Sequence, residues 1–140
     1  MNCYVDSSVV LRVVLDEPCQ LTSWRSITRP ISSDILRVEA LRTIDRARIR
    51  FGLADDVVAE RRRLVFEVVE TFDLVPVNPS ILERAAGPFP TLLGALDSLH
   101  LASALVVRAQ VPDLLVATHD NELGRAARAV GFEVRGDEQG

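Results

Sequence analysis

Lysine is absent from this chain: all 16 basic residues among its 140 are arginine. That removes Schiff-base chemistry and any phosphate-loop lysine, and no Gly-rich phosphate loop stands in the sequence either. Cysteine is nearly missing. Cys3 and Cys19 are the two present, and Cys3 lies in the apolar run from Asn2 to Val5, where a thiol behaves as a small buried hydrophobe. Neither a disulfide framework nor a zinc site is therefore expected. Aromatics amount to five Phe, Trp24 and Tyr4, and no grouping of them offers a stacking platform for single-stranded bases. An uninterrupted apolar run at the start is lacking too. Residues 1–15 have no basic opening and carry Asp6 and Arg12 inside the apolar stretch, so they read as a strand and a helix rather than a signal peptide or membrane span. A cytoplasmic protein is the expectation. The net charge of -4 argues against a protein that coats nucleic acid through bulk positive charge, and leaves room for a local basic patch.

What is present is a chain with 48% hydrophobic and 26% charged residues, long enough for one substantial core and too short for two comfortable domains. The apolar run from Asn2 to Val5 ends at Asp6-Ser7-Ser8, after which Val9, Val10, Val13 and Val14 repeat at helical spacing. A weaker helix is expected over Gln20 to Ile27. A short strand at Pro30 to Ser32 then meets Ser33, an N-cap candidate for a long helix to about Arg50. Gly52 closes that helix, and Asp55 or Asp56 opens its antiparallel partner, which reaches about Thr71. Leu74 to Val77 reads as a strand, Pro79 to Ala86 as a helix, Gly87 to Pro90 as a loop and Asp97 to about Ala109 as a helix. Leu114 to Ala117 gives a strand, His119 to Val130 the last helix, and Glu133 to Arg135 a short final strand. Such alternation predicts an α/β three-layer sandwich whose mostly parallel central sheet is flanked by helices, as one domain over 1–135 with a flexible tail at 136–140. Ligands then belong beyond the carboxyl ends of the strands.

Asp6 and Asp120 follow strands on that rim, and Asp97 stands where a helix begins. Taken singly, each is explained by helix capping. Glu39 falls at the edge of its helix's core-facing stripe, where an unpaired carboxylate is costly, and a salt bridge to Arg42 would explain it. The four together ask for more. Two carboxylates about 6 Å apart at an effective dielectric near 20 repel by roughly 3 kcal/mol, and four by something on the order of 10 kcal/mol. A bound Mg2+ or Mn2+ offsets that repulsion and creates a catalytic centre in which activated water attacks a phosphodiester. His100 and His119 are the only other titratable candidates near neutrality. A metal-free ribonuclease needs a convergent acid and base; His100 is expected instead as a half-buried structural residue and His119 as a rim residue.

At this point the chain resembles the PIN-domain ribonucleases, in particular the VapC toxins of bacterial toxin-antitoxin pairs. The resembling segments are YVDSSVVL (Tyr4 to Leu11), ISSDILRVEALR (Ile31 to Arg42), LDSLHLASAL (Leu96 to Leu105) and ATHDNELGRAARAVGF (Ala117 to Phe132), which span almost the whole domain in the family's order. The resemblance implies a PIN-like sandwich in which Asp6, Glu39 and Asp97 are the core metal-binding acids and Asp120 the fourth, holding a second ion or orienting water. It implies that Ser8 and Thr118 line the site; a hydroxyl completing a helix cap is the alternative for Ser8. It also implies a homodimer and a small VapB-like antitoxin whose tail occupies a groove near the acids.

Half of the arginines, Arg37, Arg42, Arg46, Arg48, Arg50, Arg61, Arg62 and Arg63, fall in the helical hairpin. On a helical wheel Arg42, Arg46 and Arg50 share the direction of Glu39, a cationic track suited to an RNA backbone. The competing view is a solvated face paired with Asp45, Asp55, Asp56 and Glu60. The apolar positions from Leu53 through Phe66 fit either an antitoxin surface or the chain's own core. The expected activity is a Mg2+- or Mn2+-dependent endoribonuclease held inactive by its antitoxin. Two alternatives stand beside it: a non-catalytic PIN-like protein-binding module, and a hydrolase of small phosphate esters.

Overall fold

Five parallel strands form the centre of the computed structural model, which describes residues 1–137. They are β1 (Asn2–Val5), β2 (Arg29–Ser33), β3 (Asp73–Val75), β4 (Leu115–Ala117) and β5 (Val134–Arg135), side by side in the order β3-β2-β1-β4-β5. The helices are α1 (Ser7–Val14), α2 (Leu36–Phe51), α3 (Asp55–Glu70), α4 (Pro79–Ala86), α5 (Ala95–Arg108) and α6 (Asn121–Ala129). Because parallel neighbours require crossovers, the helices cover both faces of the sheet.

Alternation along β1 sorts the core into two halves. Cys3 and Val5 point to one face, where they pack with Val9, Val10 and Val14 of α1, Leu36, Ala40 and Ile44 of α2, and Val65 and Val69 of α3. Tyr4 points to the other face, joining Ile31, Leu101 and Ala104 of α5, and Leu123, Ala126 and Ala127 of α6. The valines of α1 are poor intrinsic helix formers, so that short helix owes its stability to burial against the sheet. The chain builds outward from β1 through β2 to β3, then crosses back to lay β4 on the opposite side of β1. That reversal opens a crevice at the carboxyl ends of β1 and β4.

Several boundaries differ from the sequence expectation. The helix expected over Gln20 to Ile27 is a single 3-10 turn, Trp24–Ser26. Leu21, Trp24 and Ile27 all pack onto the first core cluster, and a 3-10 turn satisfies their three-residue spacing as well as an α-helix does. Left-handed backbone at Asp16 and Cys19 precedes it. Ser33 does not cap α2. It ends β2, paired with Val75, and its hydroxyl accepts from the Ile35 backbone at 3.2 Å, so the helix begins only at Leu36. Asp97 is no cap either, since α5 starts at Ala95 behind Gly94. The last helix begins at Asn121 with Asp120 as its cap, which leaves His119 outside it.

Of the tail expected at 136–140, Gly136 accepts a hydrogen bond from His119 Nδ1 at 2.7 Å and Asp137 pairs with Arg128; residues 138–140 lie outside the described residues. Among the described residues no helix is long and apolar enough to cross a membrane.

Candidate metal centre

The turn from β1 into α1 places Asp6. Its backbone N–H donates to Ala117 O at 3.1 Å, ending the ladder between β1 and β4. Its carboxylate then turns back to cap α1: Oδ1 accepts from the backbone N and the Oγ of Ser8, each at 2.5 Å. Oδ2 accepts from Thr118 Oγ1 at 2.5 Å. Three donors around one carboxylate hold it in one orientation, and its 3% exposure places it at the floor of the crevice.

The turn from β4 into α6 mirrors this arrangement. Asp120 caps α6 by accepting from Leu123 N at 3.0 Å, while its own N–H donates to Thr118 Oγ1 at 2.9 Å. Ser8 Oγ also accepts from His119 N at 2.9 Å. Ser8 and Thr118 thus brace the two strand-to-helix turns against each other. Ser8 lies on the crevice wall. Thr118 is wholly buried behind Asp6, which it touches through its hydroxyl, rather than on the crevice wall itself.

Asp97 occupies the third residue of α5, and Glu39 the fourth of α2. Asp6, Ser7, Ser8, Glu39, Gly94, Ala95, Leu96, Asp97 and Asp120 line one open crevice of about 460 Å³. All four carboxylates expected from the sequence therefore meet there. Asp97 responds to both its burial and its neighbours: burial first, then Asp120 and Asp6, push its carboxyl up from 3.8 to about 7, with Glu39 adding to the rise and His100 opposing it.

Glu39 does not pair with Arg42, which bonds Asp45 at 2.9 Å instead. Its Oε1 meets His100 Nε2 at 2.5 Å. His100 is not half-buried but 1% exposed, with Nδ1 2.9 Å from the Tyr4 hydroxyl. Burial disfavours a charged ring, yet the bond to Glu39 and the charges of Glu39, Asp6 and Asp97 outweigh it and raise the histidine above its ordinary value. Sequence reading did not find this contact, although His100 stands three residues beyond Asp97 on the same helix face.

An all-carboxylate donor set is hard oxygen chemistry, which suits Mg2+ or Mn2+ and excludes a thiolate or imidazole metal. Among the described residues no group of three or more Asp, Glu, His or Cys side chains is arranged so that it could hold a metal ion. Direct contact in this geometry is thus limited to one or two carboxylates, the remaining positions of a Mg2+ being left to its waters.

The arginine track is less coherent than the helical wheel suggests. Arg42 and Arg48 are both engaged by Asp45, Arg63 by Glu60 and Glu67, and Arg50 lies over the Phe51 ring. Arg46 is exposed, but none of these arginines lines the crevice. Arg50 stands about 17 Å along the helix axis from Glu39. The apolar side of α3 divides: Val65 and Val69 belong to the core, whereas Val57 and Phe66 are exposed. A wider groove of about 580 Å³ runs along α3 beside Phe66, bordered by Asp55, Arg62, Arg63, Glu67 and Glu70. It lies outside the acidic crevice.

Comparison with known proteins bears on this site. The family model for the PIN domain matches residues 3–129. The chain is 26% identical over 136 residues to Ribonuclease VapC47 of Mycobacterium tuberculosis (strain CDC 1551 / Oshkosh), covering 92% of each chain. It is 27% identical over 134 residues to Ribonuclease VapC46 of Mycobacterium tuberculosis (strain ATCC 25618 / H37Rv), covering 94% of each. The crystal structure of PAE2754 from Pyrobaculum aerophilum matches with a TM-score of 0.58 at 19% identity, covering 99% of this chain and 85% of that one. That last likeness concerns the fold alone.

Proposed function

The chain belongs to the PIN domain family, and from that premise we propose that it is a Mg2+- or Mn2+-dependent endoribonuclease held inactive by a small VapB-like antitoxin. The observation that carries this reading is the gathering of Asp6, Glu39, Asp97 and Asp120 on one crevice with Asp97 pushed up to about 7 partly by its acidic neighbours. An acidic cluster with no cationic side chain on its lining calls for a cation from outside. The relatives named as ribonucleases, matched over nearly their whole length, support RNA as the substrate.

In this reading Asp6, Glu39 and Asp97 would hold the ion, directly or through its waters, and Asp120 would orient water or contribute to a second ion. When bound, the ion supplies charge neutralisation and Lewis-acid activation of water. The chain's own part is positional. Three donors fix Asp6 before any ligand arrives, so ordering that carboxylate adds no entropy cost at the moment of binding. Asp120, fixed by the first turn of α6, keeps a further carboxylate on the crevice wall. Cleavage of this kind leaves 5'-phosphate and 3'-hydroxyl ends.

For partners, the exposed Val38, Ile49, Phe51, Val57 and Phe66 on α2 and α3 support an apolar surface for the antitoxin or for a second copy in a homodimer. A toxin of this class acts in the cytoplasm, where its RNA is. The test is incubation with total cellular RNA, with and without EDTA, followed by mapping of the new ends. Cleavage that EDTA abolishes, and that is lost in Asp6→Asn and Asp97→Asn, is the expected result. Cutting that persists in both variants, or in EDTA, would overturn the assigned roles.

A further inference from the structure

A polar chain crosses the otherwise apolar core and ends on one of the four acids. The Tyr4 hydroxyl lies 2.9 Å from His100 Nδ1, and His100 Nε2 lies 2.5 Å from Glu39 Oε1. Tyr4 and His100 are each 1% exposed, so neither touches a ligand in the crevice. A carboxylate has no hydrogen to give, so the hydrogen in the second contact belongs to Nε2 whether the ring is neutral or charged. With Tyr4 donating to Nδ1 in the neutral ring, the tautomer that presents Nε2–H to Glu39 is the one selected.

Glu39 is held differently from the two acids that cap helices. Asp6 is bound by the turn it caps and by Thr118, and Asp120 by the first turn of its own helix. Glu39 has a longer side chain, and its hydrogen bond comes from a residue 61 positions away. It also stands on a helix packed against the opposite face of the sheet from α5, which bears His100.

Resting on the metal-dependent reading above, we infer that His100, braced by Tyr4, is a positioning residue that fixes one oxygen of Glu39 and leaves the other for the ion in the crevice. A purely structural histidine would lower thermal stability when replaced without changing affinity for the ion. A positioning histidine changes the affinity itself. Losing a partner of this kind typically costs 10- to 100-fold in metal affinity or activity.

The experiment compares His100→Asn with His100→Gln, titrating each full-length protein with Mn2+ by calorimetry and measuring RNA cleavage against Mn2+ concentration. The glutamine amide reaches the place of Nε2, whereas the asparagine amide reaches only that of Nδ1. The asparagine variant is expected to lose at least about tenfold in Mn2+ affinity, with a matching rise in the half-saturating Mn2+ concentration, and the glutamine variant to recover most of it. Equal affinity in the asparagine variant and wild type, or a glutamine variant no better than asparagine when both are folded by circular dichroism, overturns the inference alone. If the asparagine variant does not fold, Tyr4→Phe decides, with a smaller loss of the same sign expected and wild-type affinity refuting it. Wild-type protein that takes up no Mn2+ removes the metal-dependent reading and this inference with it.

Discussion

Asp97 bears the cost of burial and, after it, of the neighbouring acids. Its carboxyl lies at about 7 in the folded protein against an ordinary 3.8, so the native state binds that proton more tightly than the unfolded chain does. The stabilisation from this group is therefore complete below about pH 4 and disappears as pH rises through about 7. In EDTA at pH 8, Asp97→Asn should be more stable than wild type by about 1–2 kcal/mol, allowing for solvent screening of a partly exposed carboxylate. Urea unfolding at pH 8 and pH 4 checks this, with the difference shrinking toward zero at the lower pH. At this scale the sequence disclosed a good deal. Asp6 and Asp120 cap helices at strand ends, a local pattern visible in any window around them. The Glu39 to His100 contact was hidden because it joins residues distant in sequence through two elements on opposite faces of the sheet.

The α2–α3 hairpin was legible as an element because its stop signal is a single residue. Gly52 sits at φ 61 as the left-handed cap of α2, and a Cβ there would meet nothing within 4 Å. Gly52→Ala should consequently cost about 1 kcal/mol from backbone strain alone, read as a lower urea midpoint with unchanged slope and unchanged RNA cleavage. The stretch from Gln20 to Ile27 misled for an equally physical reason. Three apolar residues at three-residue spacing bury themselves equally well from a tight turn, and the left-handed residues Asp16 and Cys19 are not glycines, so only Pro18 between them marks the break. Asp97 was placed two residues too early in its helix because Gly94 caps α5 without any side-chain bond, so the usual Ser, Thr, Asp or Asn signal is missing.

For the molecule as a whole, parallel pairing followed from alternating strands and helices, but the lateral order did not. Nothing within a strand says which side of β1 receives β4; that is settled by how the two core clusters fill. The resulting crevice makes global stability a reporter of site occupancy. Mn2+ at a hundred times its dissociation constant should stabilise the wild-type protein by about 2.7 kcal/mol, seen as a rise in melting temperature that EDTA reverses. Asp6→Asn should show little of that rise. A wild-type melting curve indifferent to both Mn2+ and EDTA would speak against an ion in the crevice.

The central strand is paired on its far side late in the chain: Ser8 gives Asp6 two donors from the adjoining turn, but the third, Thr118 of the β4–α6 turn, lies 112 residues downstream. A ribosome-bound fragment therefore displays Asp6 long before Asp120 has left the exit tunnel. The complete quartet exists only once the β4–α6 turn has folded back beside β1, so a chain cut short before that turn would hold Asp6 without its buried partner Thr118.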